Sequence, residues 1–191
     1  MSELGWIVAV VASYLVGTFP SAQLVAGRLI TQQGSGNPGA SNTLRVAGRR
    51  AAASVLALDL AKGAVPTLVA LTVSGRPLAG LCWAGAVAGH VFPVTRRFRG
   101  GKGVATGAGG ALVLYPLISV ALVPLFAVVT RLTGKASVGS LAIAAGLVVG
   151  VVVTGRPGWE VALTTVIVVL VVVRHAANIS RLVRRREPSL R

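Results

Sequence analysis

Apolar residues in this chain come in long unbroken runs rather than at alternating or 3.6-residue spacing. Six stretches stand out, at about 4–29, 51–73, 77–95, 103–132, 137–154 and 159–173. A bilayer crossing needs roughly 20 apolar residues, within about 17–25. Five stretches fit one crossing each, the last of them short. The fourth is too long for one. Tyr115-Pro116 lies inside it, and the residue before a proline is pushed out of the helical region. The pattern therefore predicts a short helix over 103–114 and a second over 116–132. The expected fold is an all-α integral membrane protein with seven transmembrane helices, one short, forming a single membrane-embedded domain over 1–191.

Composition supports that class. Of 191 residues, 54% are apolar and only 12% charged, against about 25% charged in soluble domains. A disordered tail, a collagen-like chain and a coiled coil are excluded. The balance is 19 Lys and Arg against 4 acids, net +15. A nucleic-acid binder would carry a basic face with aromatics to stack on bases. Aromatics are 5% here, so no nucleic-acid partner is expected. The basic residues sit between the apolar runs instead, as loop cations of a multi-span protein do. One cysteine, Cys82, excludes an internal disulfide framework and a cysteine-cluster metal site.

Charge also fixes the parity of crossings. With seven crossings and an outside N-terminus, one side holds Arg28, Arg45, Arg49 and Arg50, then Arg96, Arg97, Arg99 and Lys102. The same side holds Arg131 and Lys135, then Arg174, Arg181, Arg184, Arg185, Arg186 and Arg191. The other side holds Arg76 and Arg156, and Lys62 falls inside a run. Six crossings would split these cations evenly. Insertion favours the lopsided arrangement, so the expected C-terminus is cytoplasmic, with a basic tail over about 181–191. The N-terminal run begins with Glu3 and exceeds a typical signal-peptide core in length, which reads as a span rather than a cleavable signal. Gly85-x-x-x-Gly89 and Gly146-x-x-x-Gly150 read as close helix-packing sites.

The inside segments carry the chemistry. The first runs Gly34-Ser35-Gly36-Asn37-Pro38-Gly39-Ala40-Ser41-Asn42-Thr43-Leu44-Arg45. It formally matches G-x-G-x-x-G, with Asp59 at the spacing of a dinucleotide fingerprint, but that fingerprint requires a preceding strand. What survives is an anion nest, in which glycines let backbone N–H groups converge. The second runs Arg99-Gly100-Gly101-Lys102-Gly103-Val104-Ala105-Thr106-Gly107. It is no Walker A loop. A Gly-flanked lysine opening a short helix nevertheless suits a phosphate. Ser137 and Ser140 start the sixth span, as caps or as site residues. His175 and Asn178 share one helix face at the end of the last span, as an interfacial anchor or as part of a site. Asn178-Ile179-Ser180 matches a glycosylation sequon, which a cytoplasmic placement discounts. Asp59 and Lys62, three apart inside a span, read first as a structural ion pair. His90 reads as a site wall or a helix-end residue.

With four acids in all, and only Asp59 near a motif, neither a paired-carboxylate hydrolase nor a carboxylate-bound metal fits. No metal and no cofactor is expected. The polar segments suit two phosphate-bearing anions at the membrane's inner surface.

Six motifs, in order, resemble the bacterial acylphosphate-dependent glycerol-3-phosphate acyltransferases. They are the 34–45 segment, Leu-Asp-Leu-Ala-Lys-Gly (58–63), Gly-His-Val-Phe-Pro-Val (89–94), Phe-Arg-Gly-Gly-Lys-Gly-Val-Ala-Thr (98–106), Ser-Val-Gly-Ser (137–140) and Arg-His-x-x-Asn-Ile-x-Arg-Leu (174–182). The resemblance covers about residues 14–182. It implies a seven-helix enzyme of the bacterial inner membrane with a cytoplasmic site. It implies acyl transfer from acyl phosphate to the 1-position of glycerol 3-phosphate, giving lysophosphatidic acid and phosphate, with the bilayer as surroundings and no obligatory protein partner. By position it implies catalytic roles for Ser35, Arg45, Lys102, His175 and Asn178. It implies substrate contacts for Gly36, Asn37, Gly39, Ala40, Ser41, Asn42, Gly101, Gly103, Ser137 and Ser140. There are departures. Pro38 replaces a β-branched residue and removes a loop N–H, Ser41 stands for threonine, Ala177 for glutamate, and the tail Arg-Arg-Arg-Glu-Pro lacks the family's Gly-x-Glu ending.

An acyl phosphate is already activated, so no covalent enzyme intermediate is needed. The proton of the acceptor hydroxyl goes to His175 or to the donor's own phosphate. The competing class is a transporter of anionic metabolites, which would use the same cationic pocket. That class predicts polar residues running through the spans to the outside, and spans five and seven carry almost none.

Overall fold

Glycine and proline interrupt the apolar runs, and the interruptions become the bends of an all-helical chain. The computed structural model describes residues 1–190. Helix α1 spans Glu3–Gly17, α2 Ser21–Ala26, α3 Ala40–Val91, α4 Val104–Leu114, α5 Pro116–Thr133, α6 Ala136–Val153, α7 Gly158–Arg174 and α8 Ala176–Val183. Single 3-10 turns cover Arg28–Thr31 and Val94–Arg96. Ser2 caps α1, its hydroxyl accepting from the Gly5 N–H at 3.3 Å. Pro116 opens α5 where a missing N–H costs nothing, and Gly134 closes it in the left-handed region. The break predicted at Tyr115-Pro116 therefore falls where expected.

Helix α3 is not straight. Gly48 and the pair Ser74-Gly75 leave helical geometry, with φ of 81° at Gly48 and 78° at Gly75. An unbroken helix over Ala40–Arg96, 57 residues, would run roughly 85 Å at about 1.5 Å per residue, far beyond one bilayer. Glu3–Ala26, Ala40–Arg96, Pro116–Thr133 and Ala136–Val153 are long and apolar enough to cross a membrane, and α7 with α8, bent by 55°, makes a fifth such run. Helix α4, at 11 residues, is apolar but shorter than a usual span. Outward faces are apolar, with Leu117, Val120 and Val123 of α5 exposed and no α5 residue buried. Such a surface suits lipid rather than water.

Two compact units make up the chain, Met1–Leu114 and the part from Tyr115 onward. In the first, helices meet backbone to backbone through glycine. A Cβ on Gly63 would strike the Thr106 carbonyl of α4, and one on Gly109 would strike the Leu60 carbonyl of α3. The same reciprocity joins α1 to the end of α3. A Cβ on Gly17 would meet the Ala86 carbonyl, and one on Gly89 the Tyr14 carbonyl. Gly85 faces the Val10 carbonyl, so the Gly85/Gly89 pair packs as its spacing predicts. Trp83 lies fully buried, its indole N–H donating to the Gly107 carbonyl at 3.0 Å.

In the second unit, Gly146 and Gly150 fit against Leu122 and Ile118 of α5. The tail after α8 folds back. The Leu190 N–H donates to the Gly134 carbonyl at 2.9 Å, and the Glu187 carboxylate is held by three donors. Ser137 Oγ lies at 2.8 Å, Asn178 Nδ2 at 2.6 Å and Arg181 Nε at 2.8 Å. Burial pushes this carboxyl up, but the hydrogen bonds from Asn178, Ser137 and Arg181 outweigh it and hold the group below its ordinary value of 4.5.

Two outcomes follow. Gly109→Ala should cost about 1–3 kcal/mol in detergent unfolding, because a carbonyl must move. Gly107→Ala, where a Cβ meets open space, should be neutral or stabilising by up to about 1 kcal/mol. Equal effects would contradict the packing. For Glu187, the lowered carboxyl contributes stability that is present above the unfolded value and lost as pH falls through the folded one. Thermal unfolding of the wild type and Glu187→Gln should therefore differ near neutral pH and converge in acid. A gap that persists in acid would mean the carboxylate's charge is irrelevant.

Candidate active site

In the first unit, the 34–45 segment is shaped by one side chain. Asn42 is 1% exposed, and its Nδ2 donates to the carbonyls of Ile30 and Gln33, both at 3.0 Å. Its Oδ1 accepts the Ser35 N–H at 2.8 Å. Gly34, at φ 58°, passes so close that a Cβ would strike Asn42 Oδ1. The sequence reading gives Asn42 to the substrates. In the structure both hydrogens of its side-chain amide and one lone pair of Oδ1 are engaged within the loop, and the second lone pair of Oδ1 is left over.

What the loop presents is backbone and short side chains. The amides of Asn42 and Thr43 donate to the Gly39 carbonyl, and that of Gly39 to the Asn37 carbonyl. No backbone hydrogen bond among the described residues takes the N–H groups of Ala40 and Ser41, which open α3. Those two amides lie at the positive end of the α3 dipole. Ser35, Ser41 and Arg45 are exposed, while Asn37 and Gly36 are half-buried. No strand precedes the loop. Asp59 is engaged by Lys62 at 2.7 Å, so the dinucleotide fingerprint is absent in structure as it is by sequence context.

The second segment lies on the end of α3. Arg97 and Phe98 both take positive φ, 50° and 61°, turning the chain back so that the Gly101 N–H donates to the His90 carbonyl at 3.1 Å. Gly101 and Gly103 are buried and Lys102 is half-buried at the entry to α4. Gly103 takes φ 83°, a conformation costly for any residue with a Cβ.

Beneath this segment Asp59, Lys62 and His90 form a cluster. Lys62 Nζ donates to Asp59 Oδ1 and to the Phe19 carbonyl at 2.9 Å, and lies 3.3 Å from His90 Nδ1. The ion pair read from the i, i+3 spacing is present, and His90 belongs to it. Alongside lies an open apolar groove of about 750 Å³. It is lined by Leu15, Phe19, Leu58 and Val65, with Lys62 and Arg96 among its walls.

In the second unit, Ser137 and Ser140 are buried near the start of α6. The capping reading does not hold, since Lys135 takes the cap position without a side-chain bond and Ser137 turns to Glu187. His175, 1% exposed, sits where α7 bends into α8. Its Nδ1 lies 2.8 Å from the Val171 carbonyl. A carbonyl only accepts, so Nδ1 carries a hydrogen, and in the neutral form of the ring the lone pair would be on Nε2. Asn178 donates to Glu187, while its Oδ1 is buried without a hydrogen-bond partner among the described residues. Glu187 is the residue that sequence reasoning missed. Its signal was a lone carboxylate inside an arginine run, masked by the absent Gly-x-Glu ending.

Known proteins resemble this chain in sequence and in overall fold. The family model for glycerol-3-phosphate acyltransferase matches residues 7–185. A glycerol-3-phosphate acyltransferase of Anaeromyxobacter sp. (strain Fw109-5) is 41% identical, covering 97% of this chain and 96% of the relative. One from Bacillus velezensis is 36% identical over 95% and 96% of the two chains. The crystal structure of PlsY (YgiH), an integral membrane glycerol 3-phosphate acyltransferase, in its glycerol 3-phosphate form superposes with a TM-score of 0.93. It has 29% identity and covers 97% of this chain and 95% of that one. Its lysophosphatidic acid form gives 0.90 over the same shares. Matched over nearly its whole length in both sequence and helix arrangement, the chain belongs to the glycerol-3-phosphate acyltransferase family.

Proposed function

We propose that this membrane glycerol-3-phosphate acyltransferase takes its acyl group from acyl phosphate and places it on the sn-1 hydroxyl, at a site facing the cytoplasm. The observation that carries the reading is the likeness, over nearly the full chain, to solved forms holding glycerol 3-phosphate and lysophosphatidic acid. Seven crossings with the N-terminus outside go with it. The breaks at Ser74-Gly75 and Tyr115 and the one-sided cations support that topology.

The balance of the reaction is simple. The glycerol 3-phosphate hydroxyl oxygen attacks the acyl carbonyl carbon, the carbonyl–phosphate bond breaks, and phosphate leaves with the electron pair. Lys102, and Arg45 with its two-pronged guanidinium, neutralise phosphate charge. Ser35, Asn37 and the Ala40 and Ser41 amides orient oxygens and stabilise the developing oxyanion, a contribution of roughly 3–4 kcal/mol per good donor. Gly36, Gly39, Gly101 and Gly103 let the backbone come close. Asn42 keeps the loop in shape. The apolar groove suits an alkyl chain drawn from the bilayer.

The proton lost by the hydroxyl has few destinations. Asp59 is spent on Lys62 and Ser21, and Glu187 on Ser137, Asn178 and Arg181. His175 Nε2 is one acceptor and the departing phosphate the other. The second suits a chain with so few free carboxylates.

Purified protein in bicelles, given palmitoyl phosphate and labelled glycerol 3-phosphate, should release lysophosphatidic acid and phosphate without coenzyme A or acyl-carrier protein. Lys102→Ala should abolish it. Product from acyl coenzyme A alone would overturn the donor assignment. His175→Ala separates the two proton acceptors. Turnover that survives at a reduced rate supports the phosphate as base, whereas complete loss with substrate binding intact assigns the role to His175.

A further inference from the structure

Three polar side chains lie where an apolar unit has least use for them. Asp59 is 2% exposed, Lys62 5% and His90 5%. Withdrawing an ion from water costs several kcal/mol even after relaxation, and an apolar replacement of similar volume is often as stable. Stability alone gives no reason to keep them.

Their geometry supplies one. Lys62 Nζ has three donors and no acceptor. One goes to Asp59 Oδ1 at 2.7 Å and one to the Phe19 carbonyl at 2.9 Å, and the third is directed to His90 Nδ1 at 3.3 Å. Ser21 Oγ adds a bond to Asp59 Oδ1 at 2.7 Å. Because an ammonium only donates, His90 Nδ1 is the lone-pair nitrogen and Nε2 carries the ring proton. The ring is thus fixed in rotation by a charge pair that is itself tied to the α1–α2 junction.

The far edge of that ring meets the glycine segment. A Cβ on Gly101 would run into His90 Nε2, and a Cβ on Gly100 would strike the carbonyls of His90 and Val91. The Gly101 N–H also donates to the His90 carbonyl. His90 therefore touches Gly101 twice, by ring edge and by backbone, one residue before Lys102.

We propose that His90 is a positioning residue for acyl transfer: seated on the Asp59–Lys62 pair, it sets the height of Gly100-Gly101 and so the place of the Lys102 ammonium. The proposal rests on the reading of Lys102 as a phosphate grip. It explains why the segment carries two glycines where a topology signal would need none.

The test is a compensation. His90→Asn keeps an acceptor near the Nδ1 position but removes the ring edge. Gly101→Ala adds a methyl where that edge lies. Each single variant should raise the KM for one phosphate-bearing substrate by about tenfold or more, with kcat changed less. In the double variant the methyl occupies the vacated space, so KM should return most of the way to wild type. Unchanged KM in folded His90→Asn, or a double variant whose losses simply multiply, would overturn the proposal. If His90→Asn does not fold, His90→Gln serves in the same pairing. If neither folds, and Gly101→Ala keeps a normal KM, the role is structural and the proposal fails. Lys102→Ala separates the two layers. Full activity there defeats the phosphate-grip reading itself. Lost activity there beside an unaffected His90 variant defeats only the positioning.

Discussion

Asp59 is the residue on which the N-terminal unit depends. Its carboxylate sits among apolar helices and is tolerable only because Lys62 and Ser21 reach it. Removing one partner of such a pair costs about 3–5 kcal/mol, so the three must assemble together. That requirement brings the start of α2 and the middle of α3 to one point. The Phe19 carbonyl, bound by Lys62, fixes the end of α1 to the same place. Glycine then makes the rest possible. Gly63 with Gly109, and Gly17 with Gly89, let backbones approach within a distance that any side chain would forbid.

The chemistry inherits this arrangement. Two polar segments in the first unit present backbone amides, small hydroxyls and cations, with no carboxylate left to act. A reaction whose donor is already activated needs little more. It needs charge neutralisation for phosphate, donors for an oxyanion and an apolar place for a chain. The second unit uses one of its two acids differently. Glu187 gathers Ser137, Asn178 and Arg181, so the tail orders the neighbourhood of α8 rather than donating a base.

Much of this was legible beforehand for identifiable reasons. Helix boundaries at Tyr115-Pro116 and the packing at Gly85 and Gly89 follow from local sterics, which sequence states directly. The Asp59–Lys62 pair follows from helical spacing. Contacts across long separations are less visible. That Asn42 would spend its amide on Ile30, Gln33 and Ser35 depends on how the loop closes, and the motif gives only the residue type. That Ser137 would bind Glu187 rather than cap α6 depends on a tail returning across fifty positions. The bend of α3 at Gly48 was hidden because one glycine among 24 carries no distinguishing mark.

The central claim is that an anion is held at the glycine-flanked lysine on the end of α3. An experimental structure of the chain in lipid, with glycerol 3-phosphate bound, tests this most directly. Phosphate oxygens are expected within hydrogen-bond distance of Lys102 Nζ, with the Gly101–His90 contact intact. Phosphate seated elsewhere, with Lys102 turned away from it, would contradict the account.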